Sequence, residues 1–259
     1  MKTLLISLLS VLLSITACQI KKNDSQENTP SATEVKNPPA PGFNAAGSDI
    51  KAIEIADMVM EAMGGREAWD NTRCIEWNFF GSRTLIWDKK SGKTRIDYHN
   101  EDQQAVINIQ TKEGKIRKDG VMITNPDSLS KYLERAYHVW INDSYWLLMP
   151  FKLKDSGVTL KYIGEDTTLN GNTAYKLQLT FEDVGVTPQN KYHVWIDKES
   201  NLVSQWAFFR EFSMDEPNFI NPWTDYNKYG EILLSGNRGE RQLTDIAIHE
   251  KIPEGIFSL

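Results

Sequence analysis

Apolar residues along this chain are distributed with several different periods, and each change of period marks an element. Leu4–Ile15 is a predominantly apolar run preceded by a single charge, Lys2. Gln19–Gly47 then carries few large apolar residues and many Pro, Asn and Ser, a composition that cannot bury enough surface to offset chain entropy and predicts a disordered linker. From Ser48, a candidate cap, the apolar positions Ile50, Ile53, Ala56, Val59, Met60 and Met63 recur at helical spacing, and Gly64-Gly65 stops the helix. The period then falls to two. "CIEWNFFG", "RTLIWDKKSGKTRIDYHN" and "AVINIQTKEGKIRKDG" read as strands and hairpins that turn near Ser91-Gly92 and Glu113-Gly114.

A second helix interrupts the strands. Asn125 can cap it, Pro126 suits its first turn, and Asp127 favours its positive end. Leu129, Leu133, Ala136 and Trp140 form its apolar stripe, Asn142-Asp143-Ser144 is a candidate break, and Pro150 ends it. Strands resume with "GVTLKYIG", "TAYKLQLTF", "KYHVWID" and "NLVSQWAFFRE", and finish with "YGEILL" and "LTDIAIHE". In "TAYKLQLTF", Tyr175, Leu177, Leu179 and Phe181 face one way while the alternate residues face the other. So long a sheet with one greasy face must curl around something. The reading is one domain, 48–259, of the α+β class: mainly antiparallel β, about nine to eleven strands in meandering hairpins that curl, with two helices available to cover one opening. The aromatic stretch "FSMDEPNFINPWTDYNKYG" lacks regular period and reads as a long loop, a candidate lid or partner surface.

The leader changes the picture. A positive start, a short apolar centre and small residues at its end define a secretory signal over 1–17, too short for a membrane span. Ile15-Thr16-Ala17-Cys18 resembles the lipobox of bacterial lipoproteins. That resemblance implies lipidation of Cys18, the new N-terminus, and an anchor of two or three acyl chains such as palmitate. Multiple chains hold stably in a bilayer where one does not. Residues 18–47 then form the lipidated cysteine and its linker. Gln19, where an aspartate favours retention in the inner membrane of enterobacteria, points to the outer membrane; Gln19 does not fix the side, and a periplasm-facing anchor is the expectation.

Charge and cysteine content exclude other classes. The chain has 29 Lys and Arg against 35 Asp and Glu, a formal charge of −6, which becomes one unit more acidic when Lys2 leaves with the leader. That balance argues against nucleic acid. With Cys18 consumed by lipid, Cys74 is alone and reads as core. His99, His138, His193 and His249 lack metal-ligand spacing, and there is no G-x-S-x-G elbow or phosphate-cradling glycine loop. The pairs Asp215-Glu216 and Glu165-Asp166 read as solvated loop edges. No catalysis, cofactor or metal is expected.

The order of parts resembles the lipoprotein-carrier fold of the LolA and LolB family. The resemblance rests on "IADMVMEAMGGREAW", on the hairpin order and on the mid-chain helical insertion. "NDSYWLLMPFKLKDSGV", "LNGNTAYKLQLTF" and "YHVWIDKESNLV" are similar to Bacteroidetes lipoproteins of that fold. The resemblance implies a curved incomplete β-barrel covered on its concave side by the N-terminal helix and the inserted helical segment, and within it a concave apolar cavity for a lipid or a lipoprotein acyl chain, with a further protein of the envelope as a candidate partner. Trp77, Phe79, Leu85, Trp87, Trp140, Trp146, Tyr175, Leu177, Trp206 and Phe208 are the candidate lining. The competing expectation is an interaction or scaffold module whose concave side is filled by its own aromatics.

Overall fold

The computed structural model describes residues 36–182 and 185–259. The leader, Cys18 and the linker as far as residue 35 lie outside the described residues. Two antiparallel sheets make up the body. The larger contains, in spatial order, β12 (Thr224–Tyr229), β13 (Ile232–Arg238), β14 (Arg241–His249), β1 (Cys74–Phe79), β2 (Arg83–Asp88), β3 (Lys93–Tyr98), β4 (Gln103–Asn108), β5 (Gly114–Lys118) and β6 (Val121–Met122). The smaller runs β11 (Phe219–Pro222), β10 (Val203–Phe209), β9 (Lys191–Asp197), β8 (Thr173–Phe181) and β7 (Val158–Thr167). Among the described residues the sheets do not close into a barrel, so the fold is an incomplete one. Bulges at Glu76/Asn78, Tyr162/Gly164 and Val203/Gln205 shift the register and supply local bend and twist.

The strand count exceeds the nine to eleven expected, chiefly because of the segment read as a lid. Phe219–Pro222 pairs with β10 and Thr224–Tyr229 pairs with β13, so this stretch ends one sheet and begins the other. It is structure, not a free loop. Trp223 is the residue between the two strands, and its ring is buried.

The first helix, α1 (Ile50–Ala62), is present, and Ala56, Val59, Met60 and Met63 of the expected stripe are buried, while its start is rotated so that Ala52 and Ile55 take the inner positions expected of Ile50 and Ile53. Ala52, Ile55, Ala56, Val59 and Met60 are buried, whereas Ile50 is 77% exposed. Asp49, not Ser48, is the cap residue. Ser48 Oγ accepts instead from Leu160 N, and the Asp49 carboxylate accepts from Tyr162 N, so both tie the helix start to β7. At the far end Gly64 has φ +113°, and a Cβ there would meet the Glu231 carbonyl at 2.4 Å. Only glycine fits that approach. A short helix, α2 (Gly65–Asn71), follows where a plain link was expected.

Residues 36–47, assigned by composition to the linker, lie against the domain. Ala40 N donates to Lys154 O, Gly157 N to Gly42 O and Asn44 N to Val158 O. The buried Lys154 ammonium bonds Asn37 O and the Asp57 carboxylate. Long-range partners hold a segment that its own composition does not.

The inserted helix, α3 (Pro126–Leu148), begins as the sequence indicates, with Asn125 Oδ1 accepting from Ser128 N at 3.0 Å. It runs unbroken through Asn142-Asp143-Ser144. The polar residue there is satisfied from outside: Arg83 of β2 grips the fully buried Asp143 carboxylate with both Nε and Nη2, the latter at 2.8 Å. A 3₁₀ turn, Met149–Lys152, follows. Pro150 stands four residues after Trp146 and has no N–H to offer its carbonyl. The buried Arg238 of β13 takes that role, donating from Nη2 at 2.8 Å to Trp146 O, and a cation at a helix C-terminus is electrostatically favourable.

Candidate functional site

Strand register gathers the inner-face residues of the larger sheet into rows. Trp77 stands opposite Leu85, and Ile75 opposite Trp87, with Ile96, Ala105 and Ile116 continuing the face across β3, β4 and β5. The face is covered by α3, which packs over β4 and β5 with Leu133 beside Gly114, and Ala136 is buried in the same core. Most of these side chains are fully buried. The hollow of the larger sheet is thus filled by the protein itself.

The smaller sheet is covered in two parts. α1 packs over the β7 side. Tyr175 and Leu177 of β8 lie on this inner face, where Tyr175 neighbours Tyr162 and the Lys51 ammonium. The rest of the face meets the C-terminal half of α3 across a cavity of about 480 Å³. That volume falls within the roughly 300–1,000 Å³ of small-molecule sites. Trp140, Tyr145 and Trp146 of α3 form one wall; Phe181, Tyr192 and Trp206 belong to the other. Phe208 and Phe219 extend it along β10 and β11, with rings 5.2 Å apart. At the rim stand Lys152 and Asp155, paired with one another, together with Ser156 and Val186.

Of the ten candidate lining residues, four meet here: Trp140, Trp146, Trp206 and Phe208. Trp77 and Leu85 are in the packed core of the larger sheet. Phe79 is buried there too, edge-on to Trp146 at 6.3 Å, and Trp87 stands behind Trp140 at 5.4 Å. Tyr175 and Leu177 belong to the α1-covered part. Missed by sequence reasoning were Tyr145, Phe181, Tyr192 and Phe219. Phe181 shares the alternation of Tyr175, so its face was legible. Tyr145 directly precedes Trp146 on α3, a neighbouring position that the stripe Leu129–Trp140 did not reach.

Electrostatically the cavity is quiet. Burial pushes the Tyr145 hydroxyl well above its ordinary pKa and that of Tyr192 to about 12, so both stay protonated at neutral pH. Burial likewise pushes Asp143 up, offset only in part by Arg83. A second, more open depression lies beside Arg83, Lys131, Arg135 and His138. Its arginines are engaged, Arg83 with Asp143 and Arg135 with Glu101. Among the described residues no group of three or more His, Cys, Asp and Glu is placed to hold a metal. Cys74 is buried in β1, where burial raises its thiol to about 11.

No protein-family model and no curated protein matches the sequence. Among solved structures, a DUF1329 family protein from Desulfovibrio piger is similar over 80% of this chain and 97% of its own, at 10% identity and a TM-score of 0.44. A LolA superfamily protein from Nitrosomonas europaea is similar over 79% of this chain and 97% of its own, at 10% identity and a TM-score of 0.39. MucB is similar over 82% of this chain and 63% of its own, at 15% identity and a TM-score of 0.24.

Proposed function

We propose that this protein is a non-enzymatic lipoprotein of the bacterial envelope, anchored through Cys18 at the periplasmic side of the outer membrane. It holds an apolar ligand, a lipid or a lipoprotein acyl chain, between α3 and the smaller sheet. The observation that carries this reading is the cavity itself: nine of its lining side chains are aromatic, and its charged rim residues neutralise each other. Burial of apolar surface is the driving force such a site offers, at roughly 25 cal/mol per Å². The lipobox-like leader motivates the anchor.

Native mass spectrometry of the purified chain, after exposure to a membrane lipid extract, tests the ligand. The expected result is a retained lipid mass; a chain that emerges bare overturns the reading. The anchor is tested separately with Cys18→Ser, which is expected to abolish incorporation of labelled palmitate and to move the protein from the membrane to the soluble fraction.

One observation favours a scaffold module instead: the hollow of the larger sheet is plugged by its own residues, Trp77 and Leu85 among them. The two readings part at Trp140, which is only partly buried. In a carrier, Trp140→Ser leaves the thermal midpoint within a few degrees and removes lipid retention. In a scaffold it melts the domain without any ligand to lose.

A further inference from the structure

Residues 37–44 run beside the segment that carries part of the cavity rim. Asp155, Ser156 and Val158 line the cavity, and the chain that bears them, from Lys154 to Thr159, is bonded along its length by this stretch. Lys154 Nζ donates to Asn37 O at 2.5 Å and Ala40 N donates to Lys154 O. Gly157 N donates to Gly42 O at 2.8 Å, and Asn44 N donates to Val158 O. The side-chain nitrogen of Asn44 adds bonds to Thr159 Oγ1 at 2.9 Å and Glu182 Oε1 at 3.2 Å. Asn44 thus joins β7 to the chain leaving β8, next to the lining residues Val158 and Phe181. The partners ascend together, 37 with 154, 42 with 157, and 44 with 158 and 159. Bonds in that order come apart one after another from the Asn37 end, and need not all break at once.

What holds this stretch is mostly polar. Of residues 36–47 only Asn37 is buried, and the one large apolar side chain, Phe43, packs on the core while partly exposed. Segments with few buried apolar contacts open at a small fraction of the global unfolding free energy. Opening strands no charge, because the Lys154 ammonium keeps the Asp57 carboxylate, and Arg66, which donates to Pro38 O, keeps Asp70. The helix that follows is tied to β7 separately, through Ser48 and Asp49, so residues 37–44 can lift while α1 stays seated. On the reading that the cavity holds a lipid, we propose that residues 37–44 are a releasable strap that governs lipid exchange. Seated, the strap braces the rim at Asp155, Ser156 and Val158; lifted, it lets that segment give way and the cavity open.

Gly42 and Ser156 offer a reversible lock. A Cβ at Gly42 would stand 3.6 Å from Ser156 Cβ, within the roughly 3.5–4.5 Å that disulfides span. Gly42→Cys with Ser156→Cys is made in the full chain carrying Cys18→Ser. Its reduced form is the reference for its oxidised form, so the strain of a side chain at the positive φ of Gly42 is common to both. Asn44→Ala is the opposite change: it deletes the bridge to Thr159 and Glu182 and keeps the strap backbone.

The probe is cis-parinaric acid, a fluorescent fatty acid excited by energy transfer from tryptophan. Uptake is followed by stopped-flow mixing, and release by dilution into phosphatidylcholine vesicles. The oxidised form is expected to take up and release the probe at least about tenfold more slowly than the reduced form, with the same Kd, because a gate slows both directions alike. Asn44→Ala is expected to raise both rates about three- to tenfold, again at constant Kd. Equal rates in the two redox forms, or rates in Asn44→Ala that match the native chain, overturn the strap and leave the carrier reading standing. A changed Kd with unaltered uptake also overturns it, since the crosslink has then reshaped the site without barring the way. If neither redox form nor the native chain binds the probe, the carrier reading falls and the strap with it.

Discussion

His193 shows how a single residue can register the protein's surroundings. It sits on the outer face of the smaller sheet, against Phe209 at 4.6 Å, with Nε2 at 3.3 Å from Gln178 Oε1. Burial, then the nearby Lys176 and Lys191, press its pKa from 6.5 down to about 4, with Asp166 opposing weakly. Below about pH 6.5 the unfolded chain takes up a proton that the folded chain refuses until about pH 4, so stability drains across that window and is level above it. His193→Gln is expected to flatten this part of the profile. Thermal midpoints of both proteins, taken at intervals from neutral pH to the lower limit of the window, check it: parallel curves would refute it. Cys74 is the contrary case, a thiol too buried to ionise, and should resist alkylation until the chain unfolds.

At the scale of elements, α3 depends on a contact made 60 positions away in sequence, Arg83 on Asp143. Asp143→Ala leaves Arg83 partly buried without its counter-charge, and is expected to cost about 3 kcal/mol by chemical denaturation. Replacing both, Arg83→Met with Asp143→Leu, should recover most of that loss, since desolvating the pair offsets much of its attraction. A double variant as weak as the single one would show that the pair positions the helix in some further way. The same contact explains what could be read in advance. The cap at Asn125, the Gly64-Gly65 stop and the alternation in β8 are local, and all three were legible. The continuity of α3 through Asn142-Asp143-Ser144 was not, because the arginine that satisfies it comes from another element. β11 and β12 were hidden for a related reason: Pro217, Pro222 and exposed polar residues mask a pairing that only the neighbouring strands create. The cavity was half legible. Aromatic abundance pointed to it, but whether an inward ring fills a core or walls a space depends on what α1 and α3 cover, and strand alternation is blind to that.

For the whole molecule, the joint between the sheets decides what can move. Trp223 separates β11 from β12, and its ring is caught between Trp206 of the smaller sheet, edge-on at 5.4 Å, and the Arg238 guanidinium of the larger, 3.3 Å from the ring centroid. Arg238 also completes the end of α3, so one side chain ties helix, sheet and joint together. Arg238→Ala is expected to cost at least about 3 kcal/mol, from the cavity it opens and the orphaned carbonyls of Trp146 and Ser235. Denaturant unfolding measures this; a loss below 1 kcal/mol, roughly the effect of an ordinary surface change, would contradict the assignment.

A pinned seam of this kind leaves no clamshell to swing. On the proposed function, a guest enters without the sheets parting at their joint, past a lip of the more exposed lining residues Lys152, Asp155 and Val186. Loading and release speeds should therefore answer to substitutions at that lip, and stay deaf to those along the seam so long as the seam holds.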